Sequence, residues 1–257
     1  MKKRAPRRSP LRDAPLRVPG QSIQEEIDDV LEQWVVRPIF YAAGFTVLAV
    51  AQWIQILTHS AANPWLLSIA ALIAILYAVI YAVRAQKRLR ELRMARDGER
   101  IVAEQLDVLK RDGAAVIHDV VADGFNIDHV VLSTKGVFVV ETKTRSKPVH
   151  LSPTVTYDGK AVLVDGRVPT RDPLAQVEAS TKWVVATLRS STGKVYPVKG
   201  VILFPGWFVE PLPPNAKTWV VEPKALPSFI AHEPTRLTDE DLHLAVYHMS
   251  RIVRVSK

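Results

Sequence analysis

Three ionisable residues stand at the ends of two apolar segments of strand length. Asp128 lies near the start of residues 127–133, and Glu141 and Lys143 close residues 137–143. A short polar turn separates the segments, which predicts an antiparallel hairpin. Alternate side chains of a strand share one face, so Glu141 and Lys143 project to the same side. Asp128 can then face Glu141 across the two strands.

These residue types predict a metal-dependent phosphodiesterase. Two neighbouring carboxylates repel each other unless a cation lies between them. Asp128 and Glu141 therefore predict an all-oxygen site for Mg²⁺ or Mn²⁺, which keeps waters that phosphate oxygens can replace. Lys143 would orient or deprotonate the attacking water and stabilise the charge on phosphorus. Without Asp128, a Glu-x-Lys at a strand end is more often a solvated ion pair.

The segments around this hairpin predict an α/β domain. Turn residues and alternating apolar positions predict eight strands, at 115–121, 127–133, 137–143, 149–151, 155–157, 161–164, 201–204 and 219–221. Gly98 predicts a helix break, and a new helix after it would bury an apolar stripe of Ile101, Val102, Leu106 and Leu109. Further helices are expected at 173–190 and from 238 to about 253. Helices interspersed with strands in this order cover a mixed sheet.

Two long apolar segments precede this domain. Residues 38–58 and 64–83 contain no Asp, Glu, Lys or Arg, and each is close to the ~20 residues that cross a bilayer core. Lys and Arg flank the pair on its outer sides and are missing from the connecting loop, which predicts a transmembrane hairpin in the plasma (inner) membrane with both termini cytoplasmic. The alternative is a buried helical hairpin of a soluble protein, because Gln52 and Gln55 interrupt the first segment.

The basic composition belongs to the membrane part of the chain. The net charge is +8, but residues 1–96 contain 14 Lys and Arg against 7 Asp and Glu, and residues 97–257 contain 20 against 19. The excess therefore indicates topology and contact with anionic headgroups, not a nucleic-acid-binding surface. The chain has no Cys, which excludes disulfides, thiolate metal sites and cysteine nucleophiles.

An ordered series of motifs extends the hairpin in both directions. The series consists of Gly98-Glu99, Val102, Leu106, His118-Asp119-Val120, Ile127-Asp128-His129, the sequence GVFVVETK at 136–143 and the sequence PLAQ at 173–176. It resembles the nuclease-related domain (NERD), which is grouped with the PD-(D/E)xK nuclease superfamily, over roughly residues 97–204. The resemblance implies a restriction-endonuclease-like fold, in which helices flank a mixed sheet, and nuclease activity.

The resemblance also implies a role for each of five residues. Glu99 matches the helix glutamate of the superfamily, and Asp128 and Glu141 match its metal-binding acids. Lys143 matches the catalytic lysine. Gln176 matches a glutamine on the later helix that would steady the site or the substrate backbone.

Two positions near these residues are a departure from the family pattern and an alternative acid. The family usually has Asn after its lysine, whereas this chain has Thr144, so different hydrogen bonding is expected at the strand end. Glu104 is a second acid on the predicted first helix. Glu99 is preferred because it follows Gly98, as in the family motif.

Other polar residues near the hairpin carry weaker signals. Arg145, Lys147 and Arg171 are candidate substrate contacts, since basic loop residues can hold phosphates, and an ordinary solvated loop is an equal alternative. His129 adjoins Asp128 but projects to the opposite face of the strand, which predicts a core or surface histidine and not a ligand.

The predicted function is a membrane-anchored, divalent-metal-dependent nuclease that hydrolyses nucleic acid, DNA in preference to RNA, on the cytoplasmic side. A non-catalytic binding or scaffold module with the nuclease fold is the alternative, because residues 97–257 are nearly neutral. A third possibility is that the lipid-embedded helices bring the domain to another membrane protein or to incoming foreign DNA.

The predicted organisation has five parts. A disordered basic tail at 1–21 is followed by an amphipathic helix at 22–37. Two transmembrane helices occupy 38–83, and a juxtamembrane helical connector occupies 84–97. The nuclease-like domain spans 98–257.

Overall fold

A computed structural model describes residues 16–57, 63–146 and 154–255. The chain divides into two compact units. One unit consists of Ser22–Arg96, and the other joins the residues up to Gln21 with those from Asp97 onward. The short segment before the first helix therefore belongs to the same unit as the predicted nuclease-like domain.

The helical unit contains two long apolar helices. Helix α1 (Gln21–Leu31) continues through one π-helical turn into α2 (Arg37–Leu57), and α3 spans Pro64–Leu106. The indole Nε1 of Trp53 on α2 donates a hydrogen bond to Ser68 Oγ on α3 at 3.1 Å. The most apolar stretches have mean hydropathy 1.6 and 2.6 and are only 17% and 11% buried. By length and composition both helices could cross a membrane, and the chain does not bury them as a soluble core would be buried.

The amphipathic helix packs against the segment that was predicted to be the connector. Ile27 of α1 is buried together with Ala85, Leu89 and Leu92 of α3. On the polar side, Glu26 forms an ion pair with Arg88. An acidic residue of α1 therefore pairs with a basic residue that follows the second apolar segment, within the same unit.

Gly98 does not break the helix, so the prediction that a new helix begins after Gly98 is wrong. Helix α3 runs through Gly98 to Leu106 and closes with a 3-10 turn, Asp107–Asp112. A Cβ atom at Gly98 would lie 1.7 Å from Oγ1 of Thr144. The glycine thus permits the end of a strand to approach the helix, which outweighs its low helix propensity of about 1 kcal/mol relative to Ala.

A five-stranded mixed sheet forms the centre of the other unit, in the order β1-β2-β3-β6-β8. The strands are β1 (Ala115–Ala122), β2 (Phe125–Ser133), β3 (Gly136–Thr142), β6 (Val198–Leu203) and β8 (Trp219–Val221). The pairs β1–β2 and β2–β3 are antiparallel, whereas β3–β6 and β6–β8 are parallel. The parallel pair β3–β6 needs a crossover connection, and helix α4 (Pro173–Thr192) lies within it.

A small second sheet and two further helices complete the described chain. The small sheet contains β4 (Thr154–Tyr157), β5 (Val162–Val164) and β7 (Phe208–Val209) in the order β5-β4-β7. Helix α5 spans Leu226–His232, and α6 spans Asp239–Val255.

Helices cover both faces of the large sheet. Val130 and Val139 are buried in a cluster that includes Val184 of α4 and Met249 of α6. On the opposite face, the neighbouring residues Val131 and Val140 are buried in a second cluster. This cluster includes Val102 and Leu106 of α3 and Ile230 of α5. The predicted mixed sheet flanked by helices is confirmed.

Most of the predicted elements agree with the structure, with a few differences. Of the predicted apolar stripe, Val102, Leu106 and Leu109 are buried, but Ile101 is 50% exposed. The strand predicted at 201–204 begins three residues earlier, β7 and α5 were not predicted, and the strand predicted at 149–151 lies outside the described residues. Short elements such as β7 have too few residues to show a periodic pattern.

Candidate active site

The predicted acids lie at the same end of two neighbouring strands. The register pairs His129 of β2 with Val140 of β3. Asp128 and Glu141 occupy the next row, where the ladder ends. The carboxylate of Asp128 accepts a hydrogen bond from the backbone N–H of Thr142 at 2.6 Å, so this side chain closes the strand pair.

Lys143 joins strand β3 to helix α4. Its Nζ atom lies 2.7 Å from Oε1 of Glu141 and 2.6 Å from Oε1 of Gln176. The backbone N–H of Lys143 also donates to the carbonyl of Leu203 at 2.8 Å. The side chain of Glu141 is 4% exposed and that of Lys143 is 21% exposed, so this contact is mostly shielded from water.

Helix α4 begins one turn before Gln176. Asp172 is the N-cap, and its carboxylate accepts a hydrogen bond from the backbone N–H of Leu174 at 2.9 Å. Pro173 occupies the first helical turn, where its missing N–H costs nothing. Gln176 is thereby held on the first turn of α4, within reach of Lys143.

Glu99 adds a third acid, from helix α3. It is 7% exposed and accepts a backbone hydrogen bond from Gly20. Burial and repulsion from Asp119 and Glu141 raise the pKa of Glu99 to about 8, although Gly20 and Lys143 oppose the shift. The structure thus brings together all five predicted residues of the site: Glu99, Asp128, Glu141, Lys143 and Gln176.

The family of this segment follows from comparison with known proteins. The family model of the nuclease-related domain matches residues 95–205. Residues 95–205 are a nuclease-related domain. No curated protein and no solved structure matches the chain. The match covers all five predicted residues of the site and ends before β7. It includes only the last part of α3, so α2 and the apolar part of α3 lie outside it.

The other two acids of the nuclease-related domain share the electrostatic environment of Glu99. Burial, followed by repulsion from Glu141 and Glu99, raises the pKa of Asp128 well above its usual value. Burial also raises the pKa of Glu141, although Lys143 counteracts it. Asp128 as a residue is half-buried, but its carboxyl group is desolvated by the surrounding protein. A cation added to this group of acids would favour their charged forms.

No metal site is preformed in the part of the chain that the structure describes. Among those residues, no three His, Cys, Asp or Glu side chains are grouped so that they could hold a metal ion. One carboxylate oxygen is nevertheless free. Oε2 of Glu141 is buried and makes no hydrogen bond.

Two residues of the site were not assigned a role from the sequence. Asp119 is 2% exposed and forms an ion pair with Arg17, which lies before the first helix. Asp119 follows His118, which pairs with His129 in the register of β1 and β2, so Asp119 lies in the same row of the sheet as Asp128. The presence of Asp119 in the family motif could have indicated that it lies at the site. No local sequence pattern indicates its contact with Arg17.

Thr144 marks the departure from the family pattern. Its Oγ1 is buried and makes no hydrogen bond, and the same holds for Oγ1 of Thr142. The close approach to Gly98 explains why a small side chain is suitable at residue 144. Different hydrogen bonding was expected at this strand end. The difference is that the hydroxyl groups of Thr142 and Thr144 make no hydrogen bonds.

His129 is a core residue, as predicted. It is fully buried, and its Nδ1 lies 2.9 Å from Nδ1 of His118. Burial lowers the pKa of His118 to about 4 and that of His129 well below its usual value. Both rings are therefore neutral near pH 7, and the pair acts as a hydrogen-bonded structural contact.

The predicted substrate contacts lie only partly in the described chain. Arg145 follows Lys143 and Arg171 precedes the N-cap of α4, and both are exposed. Lys147 lies outside the described residues. Contact of these residues with phosphate stays a prediction.

Proposed function

We propose that this protein is a membrane-anchored nuclease that hydrolyses phosphodiester bonds with the help of Mg²⁺ or Mn²⁺. One observation carries the proposal: the ammonium group of Lys143 contacts both Glu141 and Gln176, beside two further desolvated acids, Glu99 and Asp128. An ordinary ion pair at a strand end would be solvated. It would not lie in a group of desolvated acids that come from three different elements.

The residues present fit a divalent cation. Leaving a carboxylate oxygen buried and unpaired costs free energy, and Oε2 of Glu141 is in this state. Asp128 and Glu141 would hold the ion, and Glu99 would hold it or its waters. When bound, the ion would lower the pKa of a water molecule and polarise a phosphate oxygen.

The protein residues would contribute positioning and charge. Lys143 would orient the attacking water and stabilise negative charge on the phosphoryl oxygens. Gln176 accepts a hydrogen bond from the Lys143 ammonium group and so fixes its position on the rigid first turn of α4. Arg145 and Arg171 would bind the nucleic-acid backbone on either side of this point.

The membrane anchor would be the pair of helices α2 and α3. The ion pair between Arg17 and Asp119 supports an even number of crossings, because it joins a residue before the helices to the domain after them. The basic residues that flank the hairpin favour the cytoplasmic side of the plasma (inner) membrane, both for the segment before the helices and for the domain after them.

The test is nuclease activity of the full chain in detergent micelles, with DNA and RNA, with and without Mg²⁺ or Mn²⁺. We expect metal-dependent cleavage, with more activity on DNA, and a loss of at least roughly a hundredfold in Glu141→Ala and Lys143→Ala. Lys182→Ala is the matched control, because Lys182 also lies 2.7 Å from a glutamate but is 75% exposed. Unchanged activity in both site variants would contradict the mechanism.

A non-catalytic nuclease-fold module that binds partners or serves as a scaffold is the second candidate. The near balance of charge in residues 97–257 favours it, since nucleic-acid-binding domains usually have a basic face. Calorimetric titration with Mn²⁺ separates the two. No heat of binding, together with no cleavage of DNA or RNA, would favour the non-catalytic module.

A further inference from the structure

A cavity of about 460 Å³ lies between helix α4, strand β6 and the turn that joins β4 to β5. Its volume is within the range of about 300–1,000 Å³ that is usual for small-molecule sites. Val198 and Gly200 of β6 form part of its lining, and the polar side chains of the lining include Lys160, Asp172, Glu178, Thr181, Lys217 and Thr218. None of the five residues predicted for the candidate active site lines this cavity, which we call the α4 pocket.

The two acids of the α4 pocket already have hydrogen-bond partners. Asp172 is the N-cap of α4, and its carboxylate accepts a hydrogen bond from the backbone N–H of Leu174 at 2.9 Å. The carboxylate of Glu178 lies 2.7 Å from the ammonium group of Lys182, which is not part of the lining. Lys182 lowers the pKa of Glu178, and the charge of Lys217 adds to this shift. Neither carboxylate therefore takes its hydrogen bond from a lysine of the pocket.

The two lysines of the α4 pocket are not paired in this way. Neither Lys160 nor Lys217 forms an ion pair with any residue that the structure describes. Both residues are exposed, so their ammonium groups remain hydrated and can turn towards a ligand. Two positive charges beside one cavity are thus available to an anion.

Hydrogen bonds fix the backbone on which each lysine stands. The carboxylate of Asp158 accepts hydrogen bonds from the backbone N–H groups of Lys160 and Ala161, both at 2.7 Å. The hydroxyl group of Tyr157 accepts a hydrogen bond from the backbone N–H of Thr218, the residue after Lys217. The two lysines therefore start from defined positions at the border of the pocket, which reduces the cost of ordering them around a ligand.

The lining of the α4 pocket combines two kinds of binding group. Two ammonium groups without an acidic partner favour an anion, and a lysine binds phosphate as a concentrated positive charge. The carboxylates of Asp172 and Glu178 retain acceptor capacity, because an ionised carboxylate has about four lone-pair sites. They can accept hydrogen bonds from hydroxyl or amino groups of a ligand. A mononucleotide carries a phosphate together with such groups.

We propose that the α4 pocket binds a mononucleotide, with the phosphate between Lys160 and Lys217 and the sugar or base against Asp172 and Glu178. This binding goes beyond the proposed function, because it needs neither the candidate metal nor any residue of the candidate active site. The recognised group is a phosphate monoester, which a free nucleotide and the phosphorylated end of a nucleic-acid strand both carry. The size of the cavity favours the free nucleotide.

The experiment is calorimetric titration of the full chain in detergent micelles with deoxyadenosine monophosphate, in the presence of EDTA. We expect binding that Lys160→Ala and Lys217→Ala each weaken roughly tenfold, because each removes one hydrogen bond between charged groups. Lys224→Ala, which removes an exposed lysine outside the pocket, should bind as the wild type does. Absence of binding, or equal affinity in the wild type and both pocket variants, would overturn the proposal.

Two smaller ligands test the parts of the nucleotide. Deoxyadenosine lacks the phosphate and should bind at least roughly tenfold more weakly, because it makes no contact between charged groups. Inorganic phosphate should also bind more weakly, because it leaves the two acids and most of the cavity without a partner. If either ligand binds as tightly as the nucleotide, the pocket does not recognise a nucleotide.

Two further variants locate the bound nucleotide. Ala175 is exposed and lines the pocket, so Ala175→Phe should fill the space and abolish binding without disturbing the core. Thermal unfolding checks that this variant is folded. Lys143→Ala should keep the wild-type affinity for the nucleotide, since EDTA removes metal-dependent binding at the candidate active site. Loss of binding in Lys143→Ala with full binding in Ala175→Phe would refute the assignment to the pocket.

A phosphorylated oligonucleotide separates the two sources of the phosphate. We expect it to bind at least roughly tenfold more weakly than the free nucleotide, because the strand beyond the terminal nucleotide has to leave the pocket and loses conformational freedom. Equal or tighter binding of the strand, weakened by Lys160→Ala, would overturn the free nucleotide as the ligand.

Discussion

At the scale of single residues, the candidate site depends on how one ammonium group is shared. The ammonium group of Lys143 donates one hydrogen bond to Glu141 and one to Gln176. Its position is therefore defined by a carboxylate and a neutral amide. The amide adds no charge to a region that already contains several acids. Gln176 therefore serves to position the lysine and leaves its charge available.

We predict that Gln176→Leu lowers the rate of phosphodiester cleavage about tenfold, which corresponds to about 1.4 kcal/mol in the activation free energy. The leucine is similar in size but cannot accept the hydrogen bond, so Lys143 loses one of its two partners. Measurement of kcat under saturating substrate checks this. Ala179→Leu, at an exposed position of the same helix, is the control, and an equal loss in both variants would refute a specific role for the amide.

The pair His118 and His129 affects stability and not chemistry. Two neutral imidazoles can share one hydrogen bond, since one Nδ1 donates and the other accepts. Protonation of either ring would place a charge in a buried region. The pKa of His118 is lowered from 6.5 to about 4 by burial, followed by the nearby charge of Lys110.

The direction of this shift predicts that the contribution of His118 to the stability of the domain is acid-sensitive. Between pH 6.5 and about 4 the unfolded chain binds a proton at His118 that the folded protein does not. The contribution of His118 to the free energy of unfolding should therefore be highest above pH 6.5 and decrease by up to about 3 kcal/mol as the pH falls to 4. The raised pKa of Glu99 acts in the opposite direction, because the folded protein then binds a proton at Glu99 that the unfolded chain does not. Chemical unfolding of the wild type and of His118→Gln at several pH values checks the contribution of His118. The stability advantage of the wild type over His118→Gln should decrease towards pH 4, whereas substitution of the exposed His243 by Gln should leave this decrease in place.

At the scale of secondary-structure elements, the contact between helix α3 and the end of β3 positions Glu99. Gly98 is buried and lies against Thr144, and Glu99 follows it directly on the helix. The distance between helix and strand is thus set at the residue next to the acid. A larger side chain at residue 98 would move Glu99 away from the strand ends.

We predict that Gly98→Ala destabilises the domain by about 1–3 kcal/mol, the usual effect of overpacking, and reduces activity as well. The added Cβ would meet both Oγ1 and Cβ of Thr144, at 1.7 and 2.8 Å. Thermal unfolding in detergent measures the change. Gly44→Ala is the matched control, because nothing lies within 4 Å of a Cβ at that helical position.

Combination of Gly98→Ala with Thr144→Gly should recover part of the lost stability, because it removes the atoms in conflict. If the single variant is as stable as the wild type, the glycine is not required for the close approach. If the double variant recovers nothing, the conflict lies with other atoms.

At the scale of the whole molecule, one compact unit is built from two separate parts of the chain. Residues up to Gln21 and residues from Asp97 onward belong together, and Ser22–Arg96 form the helical unit between them in sequence. A fragment that begins at Asp97 would lack Arg17 and Gly20, the partners of Asp119 and Glu99. Tests of the site are therefore best made on the full chain.

Membrane topology can be measured cleanly because the chain contains no Cys. We predict that single cysteines at Ser9 and Ser190 react with an impermeant maleimide from the same, cytoplasmic side of sealed vesicles. A cysteine at Ala61, in the loop between the apolar segments, should react from the other side only, because two crossings place the loop there. Labelling of all three positions from one side would show that the helices do not cross.

Local patterns in the sequence determined the residue types of the site and the elements nearest to them. The period of two in β2 and β3, with a turn between them, placed Asp128, Glu141 and Lys143 at one end of a hairpin. The long runs without charge determined the two apolar helices. Both inferences use interactions between residues close in the chain, which propensity and periodicity describe.

The tertiary structure alone decided which contacts distant residues make at the site. Gln176 reaches Lys143 across 33 positions, and Arg17 reaches Asp119 across 102. It also decided that Gly98 serves for close packing and not as a helix break, since an isolated glycine is compatible with either. Such contacts depend on how whole elements pack, because the free energy of burying and pairing these side chains is realised only once the sheet, α3 and α4 have come together.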